Sequence, residues 1–308
     1  MTSSSEIKGT VAIIGGTGDL GLHLTRIFLA EYQKQFPVVR ITTRDVNSPK
    51  AQELAKLGAE LYKTSESFDD VLSGADVVVN ALNTSVLEEV AKPLAAALAR
   101  ANPRVYFPSE FGADYRLNEF DGYEHPEWRR KRVINADTEA ALKGTQTKIV
   151  LVATGMFLEW LFSPGLGIDI ENNVYTPLGS ASTRLATTAE DDIARAVAQL
   201  AILSLDPATA SRVPAHARIA GQNVSYEEIR DAVSRIKGVP KGEIKNKNLE
   251  EFNSNLKANP NDNLLDYIRV LVGQGKFDFS SENANELVNP GQSLWKWKTV
   301  EDLLRGSL

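Results

Sequence analysis

An apolar run from Thr10 to Ile14 leads directly into the glycine-rich segment Gly15-Gly-Thr-Gly-Asp-Leu-Gly21. The uncharged run predicts a buried β-strand, and the apolar residues that follow lie on one face of a predicted α-helix: Leu20, Leu24, Ile27 and Phe28. The glycines fit Gly-x-Gly-x-x-Gly beginning at Gly16 and Gly-x-x-Gly-x-x-Gly beginning at Gly15. In such a turn the glycines allow a tight bend, a close approach to a pyrophosphate and close helix packing. The segment therefore predicts a dinucleotide site, and the alternative is a structural turn without a ligand.

The helix N-terminus would add free N–H groups and a positive dipole end to this site. The residues assigned to the cofactor here are Gly15, Gly16, Thr17, Gly18, Asp19, Leu20 and Gly21. Arg44 directly follows the second predicted strand, where an arginine reads a 2′-phosphate, and Asp45 after it would suit a 2′-hydroxyl. Because Arg44 comes first, we expect NADPH/NADP+ as the cofactor; the alternative is a solvated arginine at a strand end.

Apolar strand patterns alternate with helical patterns through the first half of the chain. The predicted later strands are Val38–Thr43, Glu60–Lys63, Asp76–Leu82, Arg104–Pro108 and Lys148–Ala153. This alternation predicts an α/β protein with a doubly wound parallel sheet of the NAD(P)-binding Rossmann type and a smaller C-terminal α/β lobe. We expect an NADP-binding domain over residues 1–157 and a substrate-binding lobe over 158–308, with an approximate boundary and some later elements returning to the first domain.

Helix starts and a lid are also predicted from local patterns. Three pairs fit capping boxes, namely Ser85 with Glu88, Thr187 with Glu190, and Ser225 with Glu228. The segment from Asn261 to Phe279 fits a helix and loop that could form a lid over a substrate.

Composition excludes several function classes. With 308 residues, 43% of them hydrophobic and 24% charged, the chain has the values of a globular protein. A net charge of −6 argues against nucleic acid as a partner. No segment reaches the roughly 20 apolar residues that span a bilayer, and Met1 to Glu6 do not resemble a secretory signal. The absence of cysteine excludes disulfides, and the three histidines lack metal-ligand spacing, so we expect a cytoplasmic protein without a metal.

The usual catalytic pattern of short-chain dehydrogenases, Tyr-x-x-x-Lys, occurs at none of the tyrosines. The remaining motifs are Pro108-Ser-Glu-Phe-Gly112 at the end of the fifth predicted strand and Gly155-Met-Phe157 after the sixth. Together with the glycine segment and Arg44, they resemble the isoflavone-reductase-like, or NmrA-like, family of atypical short-chain dehydrogenases. The resemblance covers the first half of the chain well and the second half in outline.

The resemblance implies an NADPH-dependent reductase of aromatic, phenylpropanoid-type small molecules. Family enzymes reduce isoflavones, cleave the benzylic ethers of phenylcoumarans or open the furan rings of lignans, and their catalytic group is a lysine on the helix after the Pro-Ser-Glu-Phe-Gly strand. Here that lysine would be Lys131, beside three arginines. Further cofactor contacts are assigned to Asn83, Ser109 and Phe111, whereas Glu110 could simply satisfy the turn. The expected substrate-pocket residues are Gly112, Met156, Phe157 and Trp160.

Other interpretations stay open at this point. A basic run such as the one around Lys131 is commonly a solvated helix face, and the apolar pocket residues could be ordinary core. A member of the NmrA-like branch could also be a non-catalytic sensor that binds NADP(H) and regulates a protein partner. A third possibility is an NADP-dependent quinone or carbonyl reductase on the same scaffold.

Overall fold

Six parallel strands form the central sheet of the structure, a computed structural model that describes residues 7–64 and 67–306. In chain order the strands are β1 (Thr10–Ile14), β2 (Val38–Thr43), β3 (Ala59–Lys63), β4 (Val77–Asn80), β5 (Val105–Phe107) and β6 (Lys148–Ile149). Their order in the sheet is β3-β2-β1-β4-β5-β6, so the direction of winding changes between β1 and β4. This is the predicted doubly wound sheet of the Rossmann type, and ligands of such sheets bind beyond the carboxyl ends of the strands at that change.

The two central strands show why the sequence folds in this way. Val11 to Ile14 in β1 and Val77 to Val79 in β4 are fully buried, and the two strands pair in parallel with Val11 beside Val77. Parallel strands are covered on both faces, which favours continuous apolar and β-branched runs over alternating ones. The predicted bounds of the second strand are confirmed, since β2 runs from Val38 to Thr43.

The described residues form eleven α-helices. They are α1 (Asp19–Glu31), α2 (Pro49–Lys56), α3 (Phe68–Leu72), α4 (Thr84–Ala101), α5 (Pro126–Ala141), α6 (Glu190–Leu205), α7 (Tyr226–Lys237), α8 (Leu249–Ala258), α9 (Leu264–Gly273), α10 (Asn285–Val288) and α11 (Val300–Leu304). Within the described ranges, none of these helices has both the length and the apolar character needed to cross a membrane. The N-terminal segment in which the sequence shows no secretory signal lies outside the described residues.

Two of the three predicted capping boxes are wrong. The N-cap of α4 is Asn83, whose Oδ1 accepts from the Val86 N–H at 3.0 Å, so Ser85 lies inside the helix. Thr187 lies in a strand and its hydroxyl donates to the Met156 carbonyl at 3.0 Å. The box at the start of α7 is confirmed, with both reciprocal bonds between Ser225 and Glu228 present.

The Glu190 N–H at the start of α6 instead donates to a carboxylate oxygen of Glu159 at 3.0 Å. A carboxylate near a helix N-terminus is favourable because it meets both an unsatisfied N–H group and the positive end of the helix dipole. The cap therefore comes from a residue 31 positions away along the chain, which a local sequence pattern does not reveal.

The sixth predicted strand, Lys148–Ala153, is interrupted at Val150. Its first part is β6 of the central sheet, and its second part is β7 (Leu151–Ala153), which pairs with a later strand in a separate two-stranded sheet. The remaining strands form this and two further small sheets: β8 (Met156–Phe157), β9 (Ile168–Asp169), β10 (Val174–Tyr175), β11 (Arg184–Thr188), β12 (His216–Arg218), β13 (Gln222–Ser225) and β14 (Glu243–Ile244). The C-terminal region thus carries the additional small sheets expected of an α/β lobe.

The chain divides into two compact units and crosses between them several times. Unit 1 comprises the described part of Met1–Glu110 together with Arg130–Val152 and Ile193–Ala217. Unit 2 comprises Phe111–Arg129, Ala153–Asp192 and the described part of Arg218–Leu308. Most of α6 therefore returns to the unit that contains the central sheet. The assignment of cofactor and substrate roles to residues 1–157 and 158–308 stays a prediction.

Unit 2 has its own apolar core, in which α9 is a central element. Tyr267 and Val270 of this helix are fully buried, and Tyr267 packs edge-on against Phe120 with ring centroids 5.3 Å apart. The segment from Asn261 to Phe279, which was expected to form a lid, is therefore largely the core helix α9, because its apolar side chains are buried in the core of unit 2.

A buried carboxylate also holds unit 2 together. Asp114 accepts hydrogen bonds from Arg116 Nε at 2.7 Å and from Arg218 Nε at 2.8 Å. Burial alone would raise the pKa of Asp114, but the hydrogen bonds and charges of Arg116 and Arg218 outweigh it and lower that pKa. The pair with Arg218 joins the segment after β5 to strand β12, 104 positions further along the chain.

Asp114→Asn should lower the free energy of unfolding at pH 7 by about 1–3 kcal/mol, because it removes the buried charged acceptor that Arg116 and Arg218 share. Because the folded-state pKa is lowered, the stabilisation by Asp114 is present above the ordinary aspartate pKa and is lost as the pH falls through the folded-state value. Urea denaturation at a series of pH values between 7 and 3 measures the free energy of unfolding of the variant and of the wild type. The variant should lose less stability on acidification than the wild type, and Asp121→Asn, an exposed change in the same segment, should match the wild type.

Candidate functional site

The turn after β1 is held by the end of the neighbouring strand β2. Gly15 has a φ of +86°, which glycine adopts without strain, and its N–H donates to Thr42 Oγ1 at 2.8 Å. The Gly16 N–H donates to the Thr42 carbonyl at 3.0 Å. Both N–H groups at the bend are thus satisfied by one threonine, which fixes where the chain leaves the sheet.

Close packing of α1 on this turn depends on Gly21. A Cβ at Gly21 would lie 2.0 Å from the carbonyl oxygen of Gly15, well inside any real contact. Thr25 Oγ1 lies one turn further along α1, 2.8 Å from the Gly21 carbonyl and 3.1 Å from the Gly16 carbonyl. The bend therefore lies at Gly15, the helix starts after Gly18, and the close approach is at Gly21. These positions match the second predicted pattern, Gly-x-x-Gly-x-x-Gly.

The N-terminus of α1 has no side-chain cap. Its N-cap residue is Gly18, which has no side chain to accept from the first-turn N–H groups. Thr17 is held beside the strand end by a hydrogen bond of 2.9 Å between its Oγ1 and Thr43 Oγ1. Asp19 is exposed at the first helical position, whereas Leu20 is buried in the core. The uncapped helix start is suited to an anionic ligand.

A cleft of ≈ 120 Å³ lies along this helix start. The residues that line it are Gly15, Thr17, Gly18, Thr43, Arg44, Thr64, Ala81, Leu82, Asn83 and Val86. Arg44 is exposed at the end of β2, and the described ranges offer its guanidinium no hydrogen-bond partner. The cleft thus unites five residues assigned to the cofactor from the sequence, while Gly16 packs inward, where a Cβ would lie 2.6 Å from Ile41.

Polar groups connect the ends of β4 and β5. Asn80 Oδ1 accepts from the Leu82 N–H at 3.1 Å, and its Nδ2 donates to the Tyr106 hydroxyl at 3.2 Å. Burial raises the pKa of Tyr106, so this phenol stays neutral. Ser109 Oγ donates to the Leu82 carbonyl at 2.7 Å. One wall of the cleft is therefore fixed by side chains at the ends of two strands.

Lys131 lies on α5 and reaches the end of β5. Its Nζ donates to the Ser109 carbonyl oxygen at 2.8 Å, and the side chain is half-buried. The neighbouring Arg130 approaches Glu88 on α4 at 3.6 Å. Glu110 is buried, and its Oε1 accepts from Asn135 Nδ2 at 2.7 Å on α5, while its expected role in the turn stays a prediction. The lysine thus lies on the helix after the Pro-Ser-Glu-Phe-Gly strand, as the resemblance implies, and contacts the assigned Ser109; its catalytic role stays a prediction.

The residues assigned to the substrate pocket all lie in unit 2, as does Phe111. The Gly112 carbonyl accepts from the N–H groups of Thr154 and Gly155 at 3.0 and 3.1 Å. Met156 is buried, whereas the Trp160 side chain is 57% exposed and its ring lies 6.2 Å from that of Phe157. The pocket roles of these residues stay predictions.

Three residues that shape this site were not identified from the sequence. Thr42 holds the glycine bend, Asn80 holds the turn after β4, and Thr64 lines the cleft. Thr42 and Asn80 are fully or almost fully buried polar residues at the carboxyl ends of apolar strands. A polar residue that ends a β-branched run is the signal that could have found them, because a buried polar group needs a hydrogen-bond partner.

A doubly wound parallel sheet with a glycine turn at its change of direction defines the Rossmann class of α/β proteins. Within that class the chain belongs to the NmrA-like family, whose family model matches residues 7–302. The resemblance seen in the sequence motifs is therefore confirmed.

Curated relatives are similar over part of the chain. An NmrA-like family domain-containing oxidoreductase of Gibberella moniliformis is 33% identical over 141 residues, which are 46% of this chain and 44% of that protein. Eugenol synthase 2 of Clarkia breweri is 26% identical over 196 residues, which are 60% of this chain and 62% of that protein. The matched part of the chain thus spans less than two thirds of the length of these relatives.

Solved structures are similar over almost the whole chain. A structure of pinoresinol-lariciresinol and phenylcoumaran benzylic ether reductases superposes with a TM-score of 0.74 at 21% identity, covering 98% of this chain and 99% of that one. Leucoanthocyanidin reductase of Vitis vinifera with NADPH gives a TM-score of 0.73 at 15% identity, covering 97% and 99%. At these identities the likeness establishes the shared fold.

Gly21→Ala should lower the free energy of unfolding by about 1–3 kcal/mol, because the added methyl group displaces α1 from the Gly15 carbonyl. Urea denaturation measures the change. Gly112→Ala is the matched control, since no atom lies within 4 Å of the added Cβ among the described residues. Equal stabilities of the two variants would contradict the close-packing role of Gly21.

Proposed function

We propose that this protein is an NADPH-dependent reductase of aromatic, phenylpropanoid-type small molecules. The observation that carries the proposal is the cleft at the carboxyl end of the sheet, where an uncapped helix N-terminus and the exposed Arg44 face the same space. An uncapped helix start suits a pyrophosphate, and an arginine at this strand end suits a 2′-phosphate.

In this proposal unit 1 holds the cofactor. The backbone N–H groups in the first turn of α1 bind the pyrophosphate, the Gly18 N–H closes the turn on the Gly15 carbonyl at 3.0 Å, Thr17 supports the turn, and Arg44 binds the 2′-phosphate. Asn83 lines the same cleft and caps α4. When bound, NADPH supplies the hydride. Binding by fixed backbone groups is favoured because little reorganisation accompanies it.

Lys131 is the proposed proton donor and acceptor for a phenolic oxygen of the substrate. Its Nζ is directed by the Ser109 carbonyl, which follows the strand that leads to the ligand end of the sheet. A positioned acid/base group of this kind commonly contributes a factor of 10²–10⁴ to a rate. Phe157 and Trp160 are proposed to receive aromatic rings, and the exposure of Trp160 supports this role.

The names of the similar proteins support the substrate class. They include an oxidoreductase, a eugenol synthase and several phenylcoumaran benzylic ether reductases. One solved neighbour carries NADP+ and pinoresinol. A cytoplasmic location and an aromatic small molecule as the binding partner are part of the same proposal.

Arg44→Ala should weaken NADPH binding about 10- to 100-fold and leave NADH binding within about twofold, because it removes charge-assisted hydrogen bonds to the 2′-phosphate alone. Fluorescence titration with NADPH, NADP+ and NADH measures the three affinities. Arg26→Ala, on α1 in an exposed ion pair with Glu53 and not among the residues that line the cleft, is the matched arginine control. An unchanged ratio of NADPH to NADH affinity would rule out this role for Arg44.

Lys131→Ala should lower kcat about 100-fold or more with the NADPH Kd within about twofold. Turnover is followed by NADPH oxidation with pinoresinol, a phenylcoumaran and an isoflavone as substrates. Lys143→Ala, just after the same helix, is the matched lysine control and should keep the wild-type kcat. If no substrate is turned over and NADP+ binds more tightly than NADPH, the reductase proposal is wrong and a regulatory sensor is favoured.

A further inference from the structure

We infer that the buried hydrogen bond between Glu110 and Asn135 is a positioning device for Lys131; this inference rests on the proposed function. Asn135 Nδ2 donates to Glu110 Oε1 at 2.7 Å, and Glu110 is only 6% exposed. Glu110 directly follows Ser109, whose carbonyl accepts from Lys131 Nζ at 2.8 Å. Two consecutive residues after β5 thus contact the same helix.

The two contacts define one face of α5. Lys131 and Asn135 are four positions apart and therefore lie above one another on the helix surface. Lys131 contacts Ser109, and Asn135 contacts Glu110 one turn further on. A pair of contacts separated by one turn fixes both the rotation of the helix and its position along its axis. A single flexible lysine contact would fix neither.

Apolar packing gives this part of α5 little help in setting its register. The Val133 side chain is 58% exposed, and the alanines at 136, 140 and 141 are exposed as well. Ile134 is the partly buried apolar residue of this stretch that packs against the core of unit 1. Trp128 and Leu142 are buried at the two ends of this stretch, and between them polar contacts supply part of the orientation that a hydrophobic stripe supplies in most surface helices.

Burial makes the Glu110 contact a strict constraint. A buried carboxylate is costly unless its oxygens are hydrogen-bonded, so a helix rotation that removes the Asn135 amide is penalised. The same rotation would carry Lys131 Nζ away from the Ser109 carbonyl. Asn135 is in this sense a positioning residue, because it acts on the reaction through Lys131.

The test exchanges donor and acceptor. Asn135→Asp opposes two carboxylates, whereas the double variant Glu110→Gln with Asn135→Asp restores one hydrogen bond with the donor on the other side. Glu110→Gln alone keeps an acceptor oxygen for Asn135. Asp137→Ala, an exposed change on the same helix, is the matched control.

The first readout needs neither cofactor nor substrate. The rate of acetylation of Lys131 by acetic anhydride is measured by peptide mass spectrometry, with the exposed Lys143 as the internal reference. In Asn135→Asp the Lys131 rate should rise about fivefold, the factor that one ordinary hydrogen bond represents. The double variant, Glu110→Gln and Asp137→Ala should all label at close to the wild-type rate.

The second readout is turnover, in which Asn135→Asp should lower kcat about tenfold at unchanged NADPH Kd, with recovery in the double variant. Unchanged Lys131 labelling in Asn135→Asp, or equal increases at Lys131 and Lys143, would overturn the positioning role. If labelling behaves as expected but Lys131→Ala does not lower turnover, the proposed catalytic function fails while the positioning of the lysine stands.

Discussion

The contact on which the site depends is the approach of α1 to the Gly15 carbonyl, which only a residue without Cβ at position 21 permits. Because the helix packs this closely, its N-terminus is brought to the edge of the sheet and lies beside the end of β2. Thr42 completes the arrangement by satisfying the N–H groups at the bend. The positions of the cleft and of the uncapped helix start follow from this packing of one helix on one strand, and the exposed Arg44 lines the same cleft from the end of β2.

Polar residues at the ends of apolar strands fix the rest of the site. Asn80 and Ser109 each make two hydrogen bonds that join different elements. The Asn80 side chain bonds the Leu82 N–H and the Tyr106 hydroxyl. The Ser109 hydroxyl bonds the Leu82 carbonyl, and its own carbonyl accepts from Lys131. Such double use keeps buried polar groups satisfied, which the interior of a protein requires. It also ties the wall of the cleft and the contact of Lys131 to the same residue, Ser109.

The sequence predicts the sheet well because β1 and β4 are largely apolar runs and β2 is rich in β-branched residues, with no competing pattern. It also predicts the glycine turn and a helix that carries Lys131 after β5, whereas the contact of Lys131 with Ser109 comes from the structure. It fails where a distant residue takes over a local role, as when Glu159 receives the first N–H of α6. A single boundary describes interleaved segments only approximately, which the expected return of later elements to the first domain allows for.

The hydrogen bond from the Ser109 hydroxyl to the Leu82 carbonyl limits how this chain can be recombined with its relatives. The Ser109 side chain holds a wall of the cleft, while its main chain receives the lysine. A chimera that exchanged the segment after β5 without the turn after β4 would therefore replace one partner of this hydrogen bond and keep the other. The two segments should therefore be exchanged together, although Leu82 and Ser109 are 27 positions apart in the sequence.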